Sequence, residues 1–176
     1  MSFESDLLVW LPHLRRYARA LTRDPAWADD LVQDTLERAL RKWHWGRSGN
    51  LRAWLLTLLR HRFIDQLRSR REVAVDDETA PWQQTPAPNS EIDGLLLRDV
   101  ERALYRLPLE QREVLLLVAV EELSYQEAAK VLQVPVGTVM SRLARGRERM
   151  RALLTEPMTG DATSTRTPLK VVKHAP

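Results

Sequence analysis

The stretch from Leu123 to Leu143 gathers the side chains best suited to contact another macromolecule, and the contact it suits is recognition rather than bond making. It reads Leu-Ser-Tyr-Gln-Glu-Ala-Ala-Lys-Val-Leu-Gln-Val-Pro-Val-Gly-Thr-Val-Met-Ser-Arg-Leu, a pattern of helix, tight turn and second helix. Ser124 and Glu127 have the spacing of a capping box. Small Ala128 and Ala129 let the two helices approach, while Val139, Leu143, Gly146 and Met150 share one face of the second helix. The opposite face presents Thr138, Ser141, Arg142, Arg145 and Arg149. Guanidinium groups reach guanine edges or phosphates and hydroxyls bond beside them, so this face fits the major groove of duplex DNA. A helical hairpin whose arginines are merely solvated has the same pattern and is the competing reading.

A second constellation runs from Ala28 to Ala39, where Asp30, Gln33, Asp34 and Glu37 form an acidic stripe opposite Leu31, Thr35 and Ala39. Acid is wrong for DNA. The stripe suits an arginine-bearing protein partner, although from the residues alone a solvated helix face is the favoured reading. A third lies at Trp43 to Asn50, a glycine-bearing loop followed by a helix in which Thr57, His61, Asp65 and Arg68 share one face and Leu55, Leu59 and Phe63 another. Aromatic rings, arginines and glycines together fit single-stranded nucleic acid. Trp43 and Trp54 are expected in the core, leaving His44 and Trp45 as the stacking candidates.

These side chains need helices to position them. Apolar periodicity predicts helices near 4–22, 25–44, 51–71, 91–106, 109–121, 124–132 and 136–154. Asp24-Pro25, Pro108 and Pro135 stand at helix starts. Pro12 is a possible bend in the first helix. Pro81, Pro86 and Pro88 with the run Asp76-Asp77-Glu78 mark a linker. The expected fold is therefore all-α: two small helical modules, 1–71 and 91–154, joined by a flexible acidic linker, 72–90. The second module contains the helix-turn-helix, and 155–176 is expected to be a disordered tail.

Composition narrows the function. The chain has 176 residues, 44% hydrophobic and 29% charged, which describes a folding chain rather than a wholly disordered one. Cysteine is absent, so no disulfide or thiolate metal site can form, and the four histidines lack metal-motif spacing. Neither metal nor cofactor is expected. No run approaches the roughly 18 apolar residues of a membrane span, and the first residues lack a signal-peptide pattern, so a cytoplasmic protein is expected. The net charge of +3 weakly favours a polyanionic partner. An enzyme acting on nucleic acid would need a carboxylate cluster, nucleophile triad or phosphate loop, and none is visible.

The three constellations in this order resemble a known family. Asp-Asp-Leu-Val-Gln-Asp-Thr at 29–35, Arg-Ala-Trp-Leu-Leu at 52–56 with Asp65-Gln66-Leu67-Arg68, a variable linker, Leu107-Pro108 and the helix-turn-helix are similar to extracytoplasmic-function (ECF) sigma factors of the sigma-70 superfamily, over about residues 5–154. The resemblance implies an alternative sigma factor that binds core RNA polymerase at its clamp and flap, directs it to promoter DNA and helps open it. It makes Asp30, Gln33, Asp34 and Glu37 the polymerase-binding residues. Arg47, Asn50, Arg52, Thr57, Arg60 and His61 become minus-ten contacts, and Thr138, Ser141, Arg142, Arg145 and Arg149 minus-thirty-five contacts. An anti-sigma factor is a further implied partner. Three positions depart from the family pattern: His61 stands where Asn is usual, Gln133 where Gly is usual, and Met140 where a basic residue is usual. Gln133 must close its turn either with an ordinary backbone angle or with some strain. A helix-turn-helix regulator working without polymerase is the alternative, and the acidic stripe argues against it.

Overall fold

The computed structural model describes residues 3–42, 50–74 and 93–155, and every regular element in them is helical. A first bundle comprises α1 (Phe3–Thr22), α2 (Pro25–Lys42) and α3 (Leu51–Ala74). A second comprises α4 (Asp93–Arg106), α5 (Leu109–Leu115), one π-helical turn (Leu116–Val120), α6 (Tyr125–Leu132) and α7 (Val136–Thr155). The all-α expectation is met. The loop with Trp43, His44, Trp45 and Arg47, most of the expected linker and the tail beyond 155 lie outside the described residues.

Local chemistry explains the boundaries. Thr22 donates to the Ala18 carbonyl, Arg23 turns left-handed at φ 60°, and the Asp24 carboxylate accepts from the N–H groups of Ala26 and Trp27 at 2.9 and 3.1 Å. Such an N-cap contributes about 1 kcal/mol, and Pro25 sits at the first helical position where its missing N–H costs nothing. Pro12 lies inside α1 without interrupting it. At the start of α3, the Asn50 side-chain oxygen accepts from Ala53 N–H at 3.2 Å. The same helix runs on to Ala74, past the expected end at 71, because no Gly or Pro follows before Pro81.

The first core joins Leu14, Tyr17, Ala18 and Leu21 of α1 to Ala28, Leu31 and Val32 of α2 and Leu55, Leu56, Leu59 and Phe63 of α3, all buried. Trp27 seals its edge, packing on Phe63 with ring centroids 5.5 Å apart and donating its indole N–H to Gln66 at 2.6 Å. In the second bundle Val114, Leu117, Leu123, Ala128, Val131, Leu132, Val139 and Leu143 are buried. Gly146 lets α7 cross α5 closely: a Cβ there would stand 3.1 Å from a Leu115 methyl carbon and 3.4 Å from the Gln111 carbonyl oxygen.

The segment expected as one helix over 109–121 divides into α5 and the π turn, whose wider winding is closed by Glu121 N–H donating to the Leu116 carbonyl at 2.8 Å. Its wholly apolar Leu115 to Val120 carries no periodicity from which sequence could place the break. The bundles also pack on each other, α3 against α6 and α1 against α5, where the sequence suggested only tethering. Tyr105 Oη donates to the Arg19 carbonyl at 2.9 Å, and the Arg23 guanidinium lies 4.4 Å from the Tyr105 ring centre. No described helix is long and apolar enough to cross a membrane.

Candidate nucleic-acid interface

The turn between α6 and α7 is built by its ends. Ser124 caps α6, its hydroxyl accepting from Glu127 N–H while the Glu127 carboxylate accepts from Ser124 N–H at 2.9 Å, the expected capping box. These bonds hold the Glu127 carboxyl below its usual pKa. Gln133 closes α6 in the left-handed region at φ 56° and ψ 45°, and Val134 N–H donates to the Ala129 carbonyl at 3.1 Å, the backbone pattern of a Schellman motif. The open alternative at Gln133 thus resolves toward strain, about 1 kcal/mol for a side chain in that region. Pro135 then launches α7, accepting from Thr138 and Val139 N–H.

Val139 and Leu143 anchor the inner face of α7, with Gly146 beside them, and Met150 is half-buried. Ser141, Arg145 and Arg149 are exposed, as is Met140, while Thr138 and Arg142 are half-buried. The Ser141 hydroxyl donates to the Thr138 carbonyl at 3.1 Å, and Arg142 pairs with the exposed Glu110 of α5 at 2.8 Å. Apart from that tether the helix offers a basic outer face.

The polar residues around α3 meet different neighbours. Arg52 donates to Glu121 at 3.1 Å, Arg60 donates through Nε to Glu113 at 2.8 Å, and Asn50 donates to Glu127 at 2.5 Å. Thr57 donates to the Ala53 carbonyl, which turns its hydroxyl inward along the helix, and His61 is half-buried. Glu121, fully buried, is also reached by His13 Nδ1 at 2.8 Å and by Arg16 through Nε at 3.0 Å and Nη2 at 2.8 Å. Burial pushes the Glu113 carboxyl up, against the pull of the Arg60 guanidinium. Sequence reasoning missed Glu113, Glu121, Arg16 and His13. The available signal was two carboxylates bracketing the apolar run Val114 to Val120, each needing a cation if that run is buried.

Along α2, Asp30, Gln33 and Glu37 are exposed, with Gln33 donating to Glu37 at 3.3 Å and Arg41 pairing with Glu37 at 3.2 Å. Asp34 differs. It is half-buried, paired with Arg62 and accepting from Gln66 at 3.1 Å, so it ties α2 to α3 as well as extending the stripe. Among the described residues no group of His, Asp or Glu is placed to hold a metal ion.

A helix-turn-helix with a basic outer face in the second bundle, packed beside a first bundle whose α2 carries an acidic stripe, is the arrangement of a DNA-binding protein. Comparison with known proteins names the class more closely. The family model "Sigma-70, region 4" matches residues 97–150 and "Sigma2 domain of PhyR" matches 8–60. The chain is 38% identical over 154 residues to the ECF RNA polymerase sigma factor EcfG of Rhodopseudomonas palustris, covering 87% of this chain and 85% of that protein. It is 30% identical to the ECF RNA polymerase sigma factor SigM of Bacillus subtilis, covering 87% and 95%. Among solved structures it is similar to the sigma factor RpoE in complex with the anti-sigma factor NepR from Bartonella quintana, with TM-score 0.81, 35% identity and coverage of 88% and 97%. CnrH in complex with the cytosolic domain of CnrY is similar at TM-score 0.65, 28% identity and 86% coverage of each chain. The chain belongs to the ECF RNA polymerase sigma factors, as the order of its motifs suggested, and serves promoter-specific transcription as an alternative sigma factor.

Proposed function

We propose that the chain binds core RNA polymerase through α2 and reads promoter DNA at two places, catalysing nothing itself. Asp30, Gln33, Asp34 and Glu37 meet the clamp, and the second bundle adjoins the flap. Arg47, Asn50, Arg52, Thr57, Arg60 and His61 serve the minus-ten element, while Thr138, Ser141, Arg142, Arg145 and Arg149 of α7 enter the major groove of the minus-thirty-five element. The observation that carries this reading is the division of α7, with Val139 and Leu143 buried and Ser141, Arg145 and Arg149 outward, inside the segment matched to sigma region 4.

The mechanism uses binding energy. Contacts from α7 position the polymerase, and contacts around α3 that exist only with the strands apart offset the few kcal/mol, roughly, of extruding a base. Polymerase supplies the catalytic centre, which places the protein in the cytoplasm with it. The similar RpoE and CnrH structures are complexes, the first with an anti-sigma factor, and a partner of that kind is proposed here too. Run-off transcription from a randomised promoter library, with core polymerase and this chain, tests the reading. Enrichment of one bipartite sequence, lost when the chain is omitted, is expected; binding to DNA without any effect on polymerase would favour the stand-alone regulator instead.

A further inference from the structure

The surface around α3 that the proposed function gives to promoter DNA is occupied in this structure by the protein's own carboxylates. Arg52, Arg60 and Asn50 each donate to a glutamate of the second bundle: Glu121 just after the π turn, Glu113 of α5 and Glu127 of α6. Arg52 and Arg60 are consequently only 17% and 16% exposed. A guanidinium fork donates to carboxylate and phosphate oxygens with the same geometry. These glutamates therefore stand where backbone phosphates would bind.

We propose that this closed arrangement is an intramolecular mask, in which Glu121, Glu113 and Glu127 occupy Arg52, Arg60 and Asn50 and so withhold the minus-ten surface from DNA in the free chain. The inference rests on the assignment of that surface to promoter DNA. Both bundles lie on one chain, so the glutamates compete with DNA at a high effective concentration, roughly millimolar for a short tether. The mask is nonetheless suited to opening. Glu113 and Glu121 are 2% and 0% exposed, and taking a carboxylate out of water costs much of what its ion pair returns. Opening restores hydration to both acids and frees the arginines for a polyanion. Arg16 and His13 of α1 are not among the proposed DNA contacts, yet they clasp Glu121 and so belong to the mask alone.

The mask is one-sided. Ser141, Arg145 and Arg149 of α7 stay exposed in the closed chain, so duplex binding by α7 continues while single-strand binding by α3 is suppressed. This asymmetry supplies an internal control. In the free full-length chain, Glu113→Gln with Glu121→Gln keeps the side-chain shape and one acceptor oxygen in each, but removes the charge and sets an amide NH2 where the second oxygen accepted from a guanidinium. Because the chain has no cysteine, one introduced at Arg38 and one at Glu148 report the inter-bundle distance through attached dyes.

The probes are a mixed-sequence single strand of about 16 nucleotides and a mixed-sequence duplex, at low salt. A closed state populated nine-tenths of the time or more predicts that the Gln variant binds the single strand about tenfold more tightly or better, with a longer dye distance and unchanged duplex affinity. Arg16→Ala, at an exposed position, should move distance and affinity in the same direction if the double variant does not fold. Unchanged distance and affinity in folded variants overturn the mask. If the variants open without gaining single-strand affinity, Arg52→Ala and Arg60→Ala in holoenzyme decide which inference fails. Loss of open complexes in those variants retains the DNA assignment and rejects the mask, whereas normal opening rejects the DNA assignment and the mask with it.

Discussion

Arg60 of α3 and Glu113 of α5 form an ion pair between the two bundles, Nε to Oε1 at 2.8 Å with a second contact from Nη2 at 3.4 Å, and the carboxylate is 2% exposed. The buried acid makes the closed chain sensitive to pH. Burial raises the Glu113 pKa above its ordinary value of 4.5, more than Arg60 and Arg142 lower it, with Glu110 adding to the rise. A carboxyl whose pKa rises on folding holds more protons folded than unfolded, so its contribution to stability is present at low pH. That contribution is lost as pH climbs from 4.5 through the raised value. Urea midpoints across this window should fall less steeply with pH in Glu113→Gln than in the parent, and identical slopes would contradict the account.

The acidic stripe yields unequal variants. Asp30→Lys should weaken binding to core polymerase while changing stability by no more than about 0.5 kcal/mol, because Asp30 is exposed on α2. Asp34→Lys should weaken the same binding and also destabilise the first bundle, by about 1 kcal/mol or more, since it sets a cation against Arg62. A core-binding titration beside thermal melts separates the two effects; equal melting points for both variants would remove the tie between α2 and α3.

At the turn, Gln133 holds a left-handed backbone that suits glycine. Gln133→Gly should raise stability by about 1 kcal/mol in chemical denaturation and leave promoter selection unchanged. A destabilised variant would mean that the Gln133 side chain makes interactions that outweigh the backbone strain.

The recognition face can be tested one arginine at a time. Arg145→Ala should cost on the order of 1–3 kcal/mol of upstream-element binding if it reads a base edge, with relaxed preference at one position. Arg142→Ala should behave likewise, and its pair with exposed Glu110 should add at most about 1 kcal/mol to stability. Binding across promoter variants measures both, and uniform weakening over all sequences would make these phosphate contacts instead.

Much of this was legible before the fold was known, for reasons of range. The Ser124–Glu127 capping box and the Val139, Leu143 and Gly146 face depend on spacings within one helix, which sequence records directly. The Asp24 cap is equally local. The masking contacts are different: Arg60 and Glu113 are 53 positions apart and Arg52 and Glu121 are 69 apart, so only tertiary packing brings them together. Asp34 looked like its exposed neighbours because its pairing with Arg62 depends on how α3 crosses α2, and the π turn was hidden in an unbroken apolar run.

Permanganate footprinting of unpaired thymines in a reconstituted holoenzyme on a selected promoter tests the central claim most directly. Polymerase carrying this chain should give reactive thymines at the minus-ten element, and core polymerase alone should give none. Arg52→Ala with Arg60→Ala should lose that reactivity while holoenzyme assembly and upstream-element protection persist. Undiminished thymine reactivity in the double variant would contradict the assignment of α3 to promoter opening, and no reactivity with the parent chain would contradict the account of the protein as the factor that opens promoters.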